Sequence, residues 1–203
     1  MKITVLGASG RAGSEIVKEL ARRGHQVTGV ARNPARIPIG DGITPASGDV
    51  GDPATLAPLL KDADAVVSAI MFLDTDPATL IGSVKSAGVP RYLVVGGAGS
   101  LDAAPGLKVI DTPNFPEIYK AEAAAGVRFL DHLRAEADLD WTFLSPSAVF
   151  EGDARTGQFR LGRDDLLIGA DGHSAISFPD YAIAMVDEIE LPRHSRGRFT
   201  VGY

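Results

Sequence analysis

Ile3-Thr4-Val5-Leu6-Gly7-Ala8-Ser9-Gly10-Arg11-Ala12-Gly13 is the stretch on which the fold turns. Residues 3–6 form a short, largely apolar run ending in glycine, as expected of a strand buried on both faces of a parallel sheet. The residues that follow put Ala12, Ile16, Val17, Leu20 and Ala21 on one helical stripe, which closes near Gly24. The glycines at 7, 10 and 13 therefore lie between a strand and a helix. Gly7 permits a tight turn off the strand, Gly10 lets a pyrophosphate approach the backbone, and Gly13 lets the helix pack close to the sheet. The helix amino terminus offers unpaired N–H groups and partial positive charge to phosphates. Spacing and context together make a dinucleotide-binding signature, and the Lys-Ser/Thr of an ATP-binding P-loop is missing.

Outward from this loop the pattern alternates. Residues 26–31 and 43–48 read as the second and third strands, with a short helix over 53–60 started by proline. Strand four spans 64–69, a helix 78–87 is closed by Gly88 and Pro90, and strand five, 92–95, runs into Gly96-Gly97. Residues 97–116 hold several glycines and prolines without periodicity, which predicts a long functional loop. A long helix follows over 116–137, with Ile118, Phe129, Leu130 and Leu133 inward, and then strand six at 141–144 with Trp141 in the core. The remainder predicts short strands at 158–161 and 166–168, a helix capped by Asp180 and running to about Glu190, and a last strand at 198–201. Alternating β and α elements predict an α/β fold, a doubly wound parallel sheet of Rossmann type, in a single domain. Residues 1–150 are expected to be its cofactor-binding core, and 151–203 a small part covering substrate over the carboxyl edge of the sheet.

Composition removes several function classes. Without cysteine there is no disulfide, thiolate metal site or cysteine nucleophile. A net charge of −6 gives no basic face for nucleic acid. His25, His132, His173 and His194 are scattered, so no metal is expected. No apolar run approaches the ~20 residues that span a bilayer, and the chain enters a strand directly, so no membrane partner and a cytoplasmic location are expected. Asp187-Glu188-Ile189-Glu190 reads as a solvated helix end, and Phe150 equally as core or substrate contact.

The second strand sharpens the cofactor. A site preferring NADH carries Asp or Glu there to bond the ribose 2′-hydroxyl, whereas this strand ends Val30-Ala31-Arg32-Asn33. Arg32, helped by Arg11, is suited to a 2′-phosphate, because its planar fork makes bidentate charge-assisted bonds. NADPH is therefore the expected cofactor, with NADH as the alternative. Ser9 and Ala12 complete the phosphate loop. Asp49 and Val50 either flank the adenine or simply end strand three, and Ser68, Ala69 and Ile70 either follow the ribose or simply end strand four.

Several motifs together resemble the atypical short-chain dehydrogenase/reductase superfamily. They are GASGRAG at 7–13, ARNP at 31–34, GD at 48–49, GGAGSL at 96–101, LDWTFLSPSAVFE at 139–151 and ISFPDYAIAMVDEIE at 176–190. The nearest resemblance is to its NAD(P)H-binding and NADH-flavin reductase group, related to biliverdin reductase B and to NmrA-like proteins. The resemblance spans essentially the whole chain. It implies a reductase whose nicotinamide lies near strands four to six, with Gly97, Ala98, Pro146 and Ser147 at the cofactor and the family's serine position at Ser100. Ser100 either polarises the acceptor or caps a turn, Tyr119 either lines the acceptor site or packs beneath the 97–116 loop, and Lys120 either reaches the cofactor or is a solvated helix residue. The sequence departs from the superfamily at one decisive place. Tyr119 is followed at once by Lys120, and adjacent helical residues do not share a face. Four residues after Tyr119 stands Ala123, so the usual Tyr-Lys proton relay is missing.

A carbonyl becoming an alkoxide needs a placed proton donor, whereas a flavin, quinone or bilin spreads the incoming charge over a conjugated plane and protonates from solvent. The expected chemistry is hydride transfer from NADPH to such a small planar acceptor, with any flavin a substrate rather than a tightly held cofactor. The alternatives are a non-turning NADP(H) sensor of NmrA type and, last, a sugar-nucleotide epimerase or dehydratase. The chain is expected to be a monomer or a homodimer.

Overall fold

A computed structural model describes residues 1–203. Eight strands form the central sheet: β1 Lys2–Leu6, β2 Gln26–Ala31, β3 Ile43–Ser47, β4 Ala65–Ser68, β5 Arg91–Val95, β6 Asp140–Ser145, β7 Arg160–Gly162 and β8 Gly197–Gly202. The five helices are α1 Arg11–Arg22, α2 Pro53–Leu60, α3 Pro77–Ser86, α4 Glu117–Arg134 and α5 Phe178–Glu190. The strand order is β7-β8-β6-β5-β4-β1-β2-β3, parallel throughout except for the edge pair β7–β8. The chain reverses its direction of sheet growth between β1 and β4. In open α/β sheets that reversal leaves a crevice at the carboxyl ends of the strands, where ligands bind.

Alternating side chains fill two cores. Ile3 and Val5 of β1 pack with Ile16, Val17 and Leu20 of α1 and with Tyr181 and Met185 of α5. On the opposite face, Leu6, Val66, Tyr92 and Phe143 pack with Leu56, Leu80, Phe129 and Leu133 from α2, α3 and α4. Both faces are covered, which is why β1, β4 and β5 read as nearly unbroken apolar runs.

Trp141 is core, as expected, but the structure corrects other readings. The 97–116 stretch is not irregular: it holds one-turn helices at Ala98–Ser100 and Val109–Asp111 around a hairpin, Asp102–Ala104 with Leu107–Lys108. Ile118 does not face inward; it is 80% exposed, and all of residues 117–120 in the first turn of α4 are exposed with it. Residues 166–168 form no strand, and Asp165 instead bridges Asp102. Ser177, not Asp180, caps α5, its hydroxyl accepting from the Asp180 amide. Pro179 sits in the first turn, and the serine before Phe178 takes the cap position.

Residues 151–203 do more than cover an edge. β8 extends the parallel sheet beside β6, β7 forms its edge, and α5 contributes six of the 22 residues of one core. The acidic helix end is not simply solvated either. Glu188 is 3% exposed and holds Arg91 at 2.8 Å and His194 Nδ1 at 2.7 Å. His25 similarly meets Glu190, at 2.9 Å.

Candidate functional site

The crevice between β1 and β4 opens into two joined cavities, one of about 780 Å3 and one of about 180 Å3. Gly10, Ala69, Ile70 and Met71 belong to the walls of both, so they form one cleft with a wide and a narrow end. The neck is the glycine loop. Gly7 has φ +78°, and a Cβ there would lie 2.3 Å from the Ala69 carbonyl oxygen. A Cβ on Gly13 would lie 2.2 Å from the Gly7 carbonyl oxygen, so α1 can start this close to β1 only with glycine at that position. α1 has no side-chain cap and no acidic residue in its first turn. Its first amides lack intrahelical partners, and Gly10, Arg11 and Ala12 line the cleft. Such a terminus suits a dinucleotide pyrophosphate by charge and by shape.

The narrow end is lined by Gly7, Ser9, Arg32, Asp49 and Val50. Arg32 is 78% exposed and stands 3.7 Å from Asp74, a residue not singled out in the sequence. Asp49 is occupied locally, its Oδ1 accepting from the Gly51 amide at 2.9 Å.

The wide end is apolar. Phe72, Phe115, Tyr119, Phe150 and Phe178 contribute aromatic faces to its walls. Phe150 and Phe178 pack with ring centroids 4.5 Å apart, and the Arg11 guanidinium lies 5.2 Å from the Phe178 centroid. Gly97, Ala98, Ser100, Pro146 and Ser147 line the same cavity, although they come from loops after two different strands. Ser100 is nearly buried, and Ser147 donates to the Val201 carbonyl at 3.0 Å. Tyr119 stands at the rim, more than half exposed.

Three expected contacts stand outside the cleft walls. Ser68 is buried in β4, its hydroxyl sharing a 2.9 Å hydrogen bond with the Tyr92 hydroxyl. Burial pushes the Tyr92 phenol well above its ordinary range, so it stays neutral. Lys120 turns away from the cavity and pairs with Glu117 one turn back, at 3.4 Å. Gly13 acts through helix packing alone.

Other wall residues were not foreseen. Glu122 lies one turn after Tyr119, and its two oxygens accept from the Phe72 amide at 2.6 Å and the Leu73 amide at 3.0 Å. That carboxylate ties the segment after β4 to α4 and fixes the Phe72 wall. Spacing three residues from Tyr119 was the available signal. Phe178 lies inside the tail motif, but nothing local marks it as reaching the cavity. Asp180, two residues later, is fully buried. Burial alone would raise its pKa, yet hydrogen bonds from Thr156, Gly157 and Tyr203 outweigh that and hold the carboxyl below its ordinary value. These bonds pin residues 156–157 to the start of α5, behind Phe178.

A family described as NAD(P)H-binding matches residues 7–192. The chain belongs to that family. An uncharacterised Bacillus subtilis protein, YwnB, is 42% identical over 212 aligned positions, covering 99% of this chain and 98% of its own. A crystal structure from Bacteroides thetaiotaomicron, described as a candidate epimerase, is 42% identical with a TM-score of 0.94, covering 100% of this chain and 96% of the other. A Streptococcus pneumoniae structure, described as a candidate NADH-flavin reductase, is 34% identical with a TM-score of 0.86, covering 100% and 99%. Similar chains with such differently described activities share this fold, so the chemistry has to be argued from the wide end.

Proposed function

We propose that this chain is an NADPH-dependent reductase of a flavin-, quinone- or bilin-like planar acceptor. One observation carries the reading: the phosphate loop opens directly into a large aromatic cavity whose helix lacks the Tyr-Lys pair. Its 780 Å3 is in the upper half of the roughly 300–1,000 Å3 typical of ligand pockets. That is room for a nicotinamide and a second ring system.

When bound, the reduced nicotinamide supplies a hydride. The chain's residues bind, orient and exclude water. Gly7, Gly10 and the first amides of α1 would hold the pyrophosphate, and Arg32 would pair with a 2′-phosphate in place of Asp74. Gly97, Ala98, Pro146 and Ser147 would hold the nicotinamide end. Phe72, Phe150 and Phe178 present flat apolar faces to the acceptor, and stacking and placement, rather than proton donation, dominate. The similarity to the Streptococcus pneumoniae protein supports the flavin side of this reading.

Epimerisation by proton transfer needs paired acid and base groups. The wide end offers none: both Glu122 oxygens are taken by backbone amides, and Tyr119 has no lysine partner on its face. A sensor that binds cofactor without turnover shares the narrow end but gives no role to the aromatic cavity.

The test is NADPH oxidation by the pure protein with FMN, a quinone or a bilin, followed at the reduced-nicotinamide absorbance band. Acceptor-dependent oxidation, lost with an Ala8→Arg loop variant, is expected. Tight NADPH binding with no turnover for any of the three acceptor classes contradicts the reductase and favours the sensor.

A further inference from the structure

Ser100 is buried to 6% exposure on the cavity wall, and its hydroxyl has a charged neighbour. Arg198 Nη1 donates to Ser100 Oγ at 3.2 Å. The two residues are 98 apart in sequence. The Arg198 side chain is only 4% exposed, and it is not itself part of the cavity wall. It reaches from β8, where Arg198 pairs with Phe143 of β6 and Phe199 points into the opposite core. Its far side is held by Asp164, which accepts from Nε at 2.9 Å and also from Nη2. Asp164 is anchored in turn, its carbonyl accepting from the Asp102 amide at 2.8 Å. The fork is thus divided: two nitrogens face a carboxylate that is 57% exposed, and the third faces a hydroxyl at the cavity.

We propose that Arg198, oriented by Asp164, is a positioning residue that sets Ser100 as a hydrogen-bond donor into the wide cavity. This rests on the reductase reading above. A hydroxyl has one proton and two lone pairs. With one lone pair taken by a guanidinium that cannot itself accept, the serine proton is left to point elsewhere, and the cavity is the open direction. Hydride transfer gives the acceptor two electrons and one hydrogen, leaving it one negative charge until water supplies a proton. A hydroxyl backed by a buried cation stabilises that charge without carrying the proton, because an arginine stays protonated at any working pH. The arrangement supplies the electrostatic half of what a Tyr-Lys pair does and leaves the proton to solvent. It therefore suits acceptors whose reduced form is a delocalised anion.

The test is a double-mutant cycle on steady-state NADPH oxidation with the best acceptor found, using Ser100→Ala, Arg198→Met and the double variant. Removing one donor to a developing anion costs roughly 100-fold in kcat, so Ser100→Ala is expected to lose about that much with NADPH affinity unchanged. Arg198→Met is expected to lose about tenfold in wild type and nothing further in Ser100→Ala, with Arg198→Lys recovering part of the loss. Should Arg198→Met not fold, Arg198→Gln takes its place in the cycle. Equal Arg198 losses in both backgrounds, or lower NADPH affinity accounting for the whole loss, make Arg198 a purely structural tie and overturn the proposal. A wild-type protein that binds NADPH and reduces no acceptor overturns the reductase reading instead, and this inference with it.

Discussion

The narrow end of the cleft is small, open and charged, with Arg32 and Asp74 facing each other across solvent. The wide end is more than four times larger, walled by phenylalanines and backed by a buried Arg198. They differ in origin as much as in character. The narrow end comes from loops following the first four strands, all within residues 7–74. The wide end is assembled from segments near 72, 98, 115, 146 and 178, brought together only by the sheet and by α4 and α5. A site for a common cofactor can be written locally, whereas a site for a particular acceptor is spread over the chain and free to change.

The largest effect separating the ends should come from the neck they share. Gly13→Ala forces a Cβ against the Gly7 carbonyl, so NADPH affinity is expected to fall about 100-fold, about 2.7 kcal/mol, in a fluorescence titration. Retained affinity would detach the cofactor from the glycine loop.

Asp180→Ala comes next and acts on the wide end only. It strands the Thr156 and Gly157 amides and the Tyr203 hydroxyl, costing about 2 kcal/mol in denaturant unfolding. It is expected to raise the acceptor KM while leaving the ratio of NADPH to NADH affinity intact. The wild-type carboxyl has a folded pKa below its unfolded value. Its stabilisation is therefore fully present above the ordinary Asp value near ~4 and lost as pH falls through the lowered folded pKa. The Ala variant should lack that part of the acid sensitivity, which pH-dependent unfolding reads directly.

Arg32→Ala sharpens the comparison from the other side. Loss of a charge-assisted contact worth about 2 kcal/mol weakens NADPH roughly 30-fold and NADH hardly at all, with the acceptor KM unchanged. Equal losses for both cofactors break the assignment. Asp74→Ala is the smallest expected effect: freed of its 3.7 Å neighbour, Arg32 should bind NADPH about threefold more tightly, as an exposed pair worth under ~1 kcal/mol allows.

The same contrast explains what the sequence disclosed. The α/β alternation, the doubly wound sheet it implies and the glycine neck were legible, because each rests on local period and turn chemistry. Gly7 and Gly13 could be read from spacing, and their tight approaches bear out the geometry. The Arg198–Ser100 contact was not legible, since nothing local says that β8 lies beside β6 with that register. Nor was the burial of Glu188, where an acidic helix end conceals an ion pair to a distant arginine on β5. Ser177 and Asp180 are both good capping residues, and only the placement of Pro179 decides between them. Lys120 and Ser68 were singled out by position along the chain, whereas the direction of their side chains was set by Glu117 and Tyr92.

The most direct measurement is a crystal structure of the protein with NADP+ and a planar acceptor. The account predicts the 2′-phosphate at Arg32, the pyrophosphate on the α1 terminus, and the acceptor ring stacked against the nicotinamide among Phe72, Phe150 and Phe178, within reach of Ser100. A cofactor whose adenosine occupies the wide cavity, or one that fills it and leaves no room for a second ring, would contradict it.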